Sequence, residues 1–525
     1  MKKKIISALL CVAMVATVAV GCGKSSDSKS TDSASSSDSS SLVMPVSATV
    51  TSLNGDLETM AEGAFQLAPY QDKLYYVDQD ETRWYLADSC EVSEDGLEYT
   101  LKLKDNLKWH DGEQITADDV IFTFNCNQNT DNGAGYTNVV FVGDKEVKAE
   151  KVDDLTVKFT LPEVSASYYE LLGKLILIPE HAFDGNTDIK SADANLTDIG
   201  SGPYKLVEFK DGESLTFEKF EDYYGDEPQI DQITFKVIPD ASSQEVAFKN
   251  GEINFFAVSS DDVATEMEET DGVTLHKLAE GRVKYLAWNK YCPTWENRDA
   301  VKAVFMALNQ EEIVKGAYGD SMGTTANSVF SNRNLFYDKD VKGYEQNLDE
   351  AKKLAQSSGL AGKTITLHYN TDRSYMEATA LLIQEQLKEV GVEVELAGGD
   401  ATAVSNAMKD PNNEYDMYLG GYIMGIDPDT FSSLFKNGAA YNYMHYSGYD
   451  TIDQLFEEGF SEMDESARKE TYAKLQAAIQ DTGAFYPIIS NNKILVVNNR
   501  IQGVKEAGLV PVYTFEDTSN LKIAK

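Results

Sequence analysis

Residues 95–125 read DGLEYTLKLKDNLKWHDGEQITADDVIFTFN. Leu97, Tyr99, Leu101 and Leu103 occupy every second position. That period sets one face of a strand on a core and the other in water. Residues 104–114 carry Asp-Asn and Asp-Gly pairs that continue neither a strand nor a helix period, which predicts a turn. Thr116 followed three residues on by Asp119 is a capping-box pattern, with an acid at the positive end of the helix dipole. Val120, Ile121 and Phe124 then supply a buried helical stripe. One stretch therefore spells strand, turn and helix.

The same alphabet recurs outward from it. Residues 152–161 (VDDLTVKFTL) alternate again, and residues 202–220 predict a hairpin about Asp211-Gly212. Further on, TITLHY (364–369) is a strand and residues 374–391 form an amphipathic helix, with Ile383, Leu387 and Val390 in the stripe and Gly391 as its stop. VEVEL follows at 392–396. Strand, helix and strand at this length make a βαβ unit with parallel strands and a right-handed crossover. A last long helix is predicted over 466–481, with Tyr472, Leu475 and Ile479 inward and Gly483 ending it. The mixture gives an α/β protein of several subdomains.

The amino terminus is of another kind. Lys2, Lys3 and Lys4 precede an uncharged apolar run, 5–20, too short to span a bilayer comfortably. This is the pattern of a secretory signal peptide, 1–21. Ala19-Val20-Gly21-Cys22 resembles a bacterial lipobox, with Ala19 where Leu is commoner, so Cys22 is expected to carry lipid. A lipidated cysteine holds more than one acyl chain, and each buried CH₂ adds about 0.8 kcal/mol, which makes a stable anchor. Residues 22–41 are serine-rich with almost no apolar side chains, a disordered leash about 25 Å from end to end.

Composition narrows what is leashed. The formal charge is −40 over 525 residues. A surface this acidic repels nucleic acid and anionic headgroups, so neither is a partner. After processing, Cys22, Cys90, Cys126 and Cys292 remain; lipid on Cys22 leaves an odd number with no CxxC, which gives no disulfide framework. Five histidines without HExxH or paired spacing argue against a zinc enzyme, and no cofactor or metal is expected.

Several of these segments carry a resemblance. Residues 95–125 look like the signature region of the family 5 extracellular solute-binding proteins, the oligopeptide-, dipeptide- and nickel-binding components of ABC importers. Residues 200–209 with 223–254 resemble a second signature; LAWNK (286–290), residues 298–319 and YDMYLGGYIMGIDPDTFSSLF (415–435) resemble later stretches. The likeness covers most of 70–505. It implies a two-lobed periplasmic-binding-protein-like fold (type II, cluster C) with three subdomains. Domain I would be discontinuous, 42–65, 196–270 and 500–525; domain II would be 66–195; domain III, the second lobe, 271–499. Chain crossings near 270 and 500 would act as hinges, and closure would trap a ligand in the cleft.

The resemblance also implies a function and a site. The expectation is a lipid-anchored, monomeric substrate-binding component on the outer face of the cytoplasmic membrane, delivering an oligopeptide or dipeptide to the permease; it is not an enzyme. An oligosaccharide or another polar solute is the alternative. In peptide-binding relatives an aspartate that holds the ligand's α-ammonium lies in the segment matching 420–431. That position falls at Met424 or Gly425 here, and the nearest acid is Asp427. Tyr422, Met424 and Asp427 are therefore the first cleft candidates, followed by Trp288 and Asn289, then Asn491 and Asn492.

Rival chemistries are weaker. Residues 319–323 match G-x-S-x-G around Ser321, but a nucleophile elbow needs a strand before and a helix after, and here a helical pattern precedes and a loop is predicted to follow. Residues 338–349 half-match an EF-hand loop, with Lys342 at a ligand position and Asp349 where Glu belongs. His110 reads as a turn-stabilising residue, and His445 as a packed or surface one. Gly200 and Gly202 read as turn glycines.

Overall fold

The structure is a computed structural model that describes residues 40–524, apart from 79–80, 290–291, 411, 413, 440–441, 443–448 and 512–513. Cys22 and His445 lie outside the described residues.

β1 (Ser41–Val46) opens the fold. It starts inside the stretch expected to be linker, because the Ser40 N–H bonds Asp231 Oδ2 (2.9 Å) and Ser41 already pairs in a parallel ladder with Gln232. β2 (Ala87–Val92), β3 (Glu98–Leu103), β4 (Lys148–Asp153) and β5 (Thr156–Thr160) make an antiparallel sheet in the order β2-β3-β5-β4. The alternation at 97–103 is realised: Tyr99, Leu101 and Leu103 are buried. Helix α1 (Ala117–Gln128) is started by the expected capping box, Thr116 Oγ1 accepting from Asp118 N (3.2 Å) and Asp119 Oδ2 from Thr116 N (2.9 Å). Helix α2 (Tyr168–Gly173) closes this core, that of domain II.

The chain returns as β6 (Tyr204–Lys210), β7 (Ser214–Lys219) and β8 (Gln232–Val237), which join β1 in the order β1-β8-β7-β6. The hairpin about Gly212 is present, the glycine at φ 71°. This sheet holds the core of domain I with Leu67, Tyr70, Leu495, Val497 and Phe515. Core membership passes from domain I to domain II between Tyr70 and Leu74.

A large sheet, shared between domains I and III, comprises β9 (Phe255–Ala257), β10 (Val273–Trp288), β11 (Gly323–Thr325), β12 (Thr364–Asn370), β13 (Glu393–Gly399), β14 (Met417–Ile423) and β15 (Phe485–Asn498). The order is β9-β15-β10-β14-β12-β13, with β11 on β15. β12 and β13 are parallel and joined by α3 (Ser374–Lys388), the predicted βαβ unit. α4 (Glu465–Thr482) is the last long helix, ended by Gly483 at φ 63°. β10 and β15 are long enough to serve two cores. Val273, Leu275, Ile494 and Val496 pack beside domain I, whereas Leu286, Trp288, Tyr486 and Ile488 pack in domain III. Between these ends the ladder shifts register, at Ala279/Val283 and again at Lys284/Tyr285. The change of core thus falls within two paired strands, inward of residues 270 and 500.

Candidate functional site

β10 shifts register around Gly281, between Ala279 and Val283. Gly281 has φ 77°, its carbonyl accepts from Met424 N (2.8 Å), and a Cβ there would stand 2.7 Å from Met424 O. Only glycine fits both the left-handed backbone and this close approach.

His110 joins domains rather than offering a free imidazole. Its N–H donates to Gly200 O (2.9 Å), its Nδ1 accepts from Gly200 N (3.2 Å), and its Nε2–H therefore donates to Gly202 O (2.9 Å). Burial pushes its pKa down to about 4, so the ring is neutral. A Cβ on Gly200 would lie 2.3 Å from Tyr70 O, which explains the glycine.

Most of the expected cleft residues belong to the interior of domain III. Trp288 stacks on Trp295 (centroids 5.1 Å), touches Phe305, and donates Nε1–H to Gly483 O (2.6 Å). Its ring is packed against protein. Asn289 is 2% exposed and donates to Tyr415 O (3.1 Å). Tyr422 donates its hydroxyl to Val329 O amid Tyr285, Phe435 and Phe485, and Met424 is buried in the same cluster. Asp427 is held by Arg468, as is Asp429, so its carboxylate already has a buried cation. These five, expected in the cleft from the resemblance, each have packing or hydrogen-bond partners from elsewhere in the chain. Asn492 fastens Ser321 O (3.0 Å). Asn491 is buried with its Oδ1 unbonded.

The rival motifs resolve into turns. Gly319 (φ 76°) ends a helix, a short strand follows, and Ser321 N–H bonds Asp261 Oδ1 (2.8 Å). That order is the reverse of a nucleophile elbow. In the EF-like stretch, Asp338 Oδ1 accepts from Asp340 N (2.9 Å), and Asp349 lies on a helix capped by Asn347.

What the structure gathers instead is a cationic corner. Lys284, in the apolar strand β10, is 9% exposed and has no hydrogen bond or ion pair among the described residues. Its Nζ sits 5.3 Å from the centroid of the Tyr375 ring, in the first turn of α3. Burial, then the nearby Arg282, pushes its pKa down to about 8. Arg373, exposed, stands at the start of α3, which lacks a side-chain cap, so free helix N–H groups add to the positive field. Lys284 lies against Gly421 of β14, where a Cβ would meet its Cδ at 2.6 Å. β12 pairs β14 only at Met417 and Tyr418, so Gly420 and the exposed Gly421 extend past that ladder. Lysine within RVKYLAW was the available signal: a charge inside an otherwise apolar strand.

The lobes also touch elsewhere among the described residues. Arg333 Nη2 reaches Asp78 Oδ1 and Tyr76 Oη (both 3.3 Å), and Ala166 N–H donates to Phe460 O (2.9 Å). Between domains II and III lies a cavity of ≈ 930 Å³, within the size range of ligand sites. Among the described residues no group of His, Cys, Asp or Glu is placed to hold a metal ion, and no helix is long and apolar enough to cross a membrane.

Comparison with known proteins agrees with this architecture. Residues 82–443 match the family described as bacterial extracellular solute-binding proteins, family 5. The chain is similar to the oligopeptide-binding protein AppA of Bacillus subtilis, 29% identical over 459 residues, 82% of each chain. It is also similar to the solved structure of the ABC transporter substrate binding protein CtaP from Listeria monocytogenes. That likeness has 36% identity and TM-score 0.88, over 93% of this chain and 100% of that one. The structure of AppA from Bacillus subtilis in complex with a nonapeptide matches with 26% identity and TM-score 0.74, over 92% and 99% of the two chains. The two-lobed α/β fold and the match over most of the chain converge: this chain belongs to family 5 of the bacterial extracellular solute-binding proteins, and like that family it is a binding protein, not an enzyme.

Proposed function

We propose that this protein is the substrate-binding component of an ABC importer, tethered by lipid on Cys22 to the outer face of the cytoplasmic membrane. It captures a peptide as a monomer in the interlobe cleft, closes by flexing where β10 and β15 shift register, and delivers the peptide to the permease. The observation that carries this reading is the pairing of an open strand stretch with an unpartnered ammonium. Gly420 and Gly421 reach past β12, and Lys284 lies over Gly421. A strand edge without side chains suits main-chain recognition, which tolerates many side chains on the ligand. The cation beside it suits a terminal carboxylate, in a charge-assisted bond strengthened by burial. Similarity to an oligopeptide-binding protein and to an ABC substrate binding protein supports the same class. The oligosaccharide alternative has less support, because Trp288, an aromatic ring of the kind that stacks on a sugar, packs on Trp295 and Phe305.

The test is mass spectrometry of whatever co-purifies with the protein, followed by calorimetry with a randomised pentapeptide library bearing free or amidated carboxyl ends. Free-acid peptides are expected to bind and amidated ones to bind at least about tenfold more weakly. Failure of every peptide, with binding of an uncharged oligosaccharide, overturns the proposal.

A further inference from the structure

We infer that the cavity between domains II and III is a side-chain subsite for a basic residue of the ligand, and that this protein prefers peptides carrying lysine or arginine. The inference rests on the peptide reading above. The cavity, ≈ 930 Å³, has walls from both lobes: Asp144, Glu163, Ser165 and Ser167 from domain II, Asp429 and Glu457 from domain III. Whatever fills it contacts both walls.

Among the described residues its ion pairs leave one carboxylate over. Glu163 pairs with Lys145, and Glu457 with Lys436 (3.5 Å). Asp429 is held by Arg468 (2.8 Å). Asp144 has no ion pair among the described residues. Four carboxylates thus line this space against three cations, and an incoming ammonium or guanidinium removes the difference. A second observation points the same way. Ser165 and Ser167 are each 2% exposed, and their hydroxyls make one long contact, with each other (3.4 Å). Lone pairs on both oxygens remain for a donor, and an ammonium brings three donors.

The remaining lining is apolar. Phe141, Leu171, Phe456 and Phe460 face the same space. Apolar walls with acids among them match a side chain made of a methylene stem and a cationic head, as lysine and arginine are. The location is consistent with a chain laid on β14: Asp429 follows that strand by six residues, while the cationic corner of Lys284 lies against its middle. The net charge of −40 also raises the local concentration of cationic ligands around the whole protein.

The experiment is competition binding to the full secreted chain, read by mass spectrometry, with pentapeptide libraries in which one position is lysine, norleucine or glutamate. Each library is supplied with a free or an acetylated amino terminus. Lysine libraries are expected to outcompete norleucine libraries at least about tenfold, with either terminus. In the double variant Asp144→Asn, Glu457→Gln that preference is expected to fall below about threefold, while the penalty for a carboxyl-terminal amide stays as in the wild type. Equal binding of lysine and norleucine libraries overturns the subsite. So does a preference that vanishes on acetylation, since it then belongs to the terminal amine, and so does one that survives the double variant. If no library binds at all, the peptide reading itself has failed, a different result from peptides that bind without charge preference.

Discussion

Asp427 and Arg468 form a bidentate ion pair inside domain III, Oδ2 to Nη1 at 3.0 Å and Oδ1 to Nη2 at 3.2 Å. The guanidinium also holds Asp429 (2.8 Å), donates Nε–H to Gly459 O (2.9 Å) and lies over the Phe336 ring. Asp427 in addition caps the turn Pro428–Phe431 by accepting from Asp429 N (3.0 Å). A carboxylate so engaged is a strut. Asp427→Asn is therefore expected to lower stability by about 1–3 kcal/mol, less than the roughly 3–5 kcal/mol for a buried charge left with no partner, because Asp429 still neutralises Arg468. Arg468→Met, which strands two carboxylates, is expected to cost more. Urea unfolding checks both. A large loss of ligand affinity in a fully stable Asp427→Asn protein contradicts the strut.

Lys284 is predicted to behave in the opposite way. Removing a buried cation without a partner relieves a desolvation cost, so Lys284→Met is expected to unfold at equal or higher urea than the wild type at pH 7. The same variant is expected to lose affinity for free-acid peptides while binding amidated ones as before. The folded pKa, about 8, lies below the usual lysine value, so the wild type recovers stability relative to the variant as pH rises from 8 to 10.5. A stability loss with unchanged selectivity between the two peptide forms contradicts the assignment.

Stability is expected to fall as pH rises from about 4 to about 8. Burial raises Asp56 to about 8 and Asp72 to about 7, the latter despite bonds from Tyr223 and Tyr224. Carboxyls raised in the folded state contribute stability that is complete below their unfolded value of 3.8 and is lost as pH climbs through the folded ones. His110, lowered from 6.5 to about 4, opposes this between those two values, but it is one group against two. Melting temperatures across pH 4–9 test this, and Asp56→Asn is expected to flatten the fall. A profile that rises steadily to pH 9 contradicts the sign.

Cys22→Ala is expected to move the protein from the membrane fraction to the medium or periplasm, with ligand binding unchanged. Retention in the membrane fraction after the substitution contradicts a lipid anchor.

Local order was legible from residues a few positions apart. The alternation of Leu97 to Leu103, the capping pair Thr116 and Asp119, the hairpin at Gly212 and the βαβ unit from Thr364 to Gly399 each depend on period, cap or turn chemistry within one segment. Those signals fix the class of fold because backbone hydrogen bonding and amphipathic burial are largely decided nearby. The site was not decided nearby. Asp427 meets Arg468 across 41 residues, Trp288 meets Gly483 across 195, and His110 meets Gly202 across 92. Whether a charge near a motif waits for a ligand or for a distant partner depends on which side chain the fold brings to it. Lys284 shows the converse: its sequence neighbours mark it as an anomaly, and only the packing of β10 against β14 and α3 leaves its ammonium buried, against an exposed glycine and, among the described residues, without a carboxylate of its own.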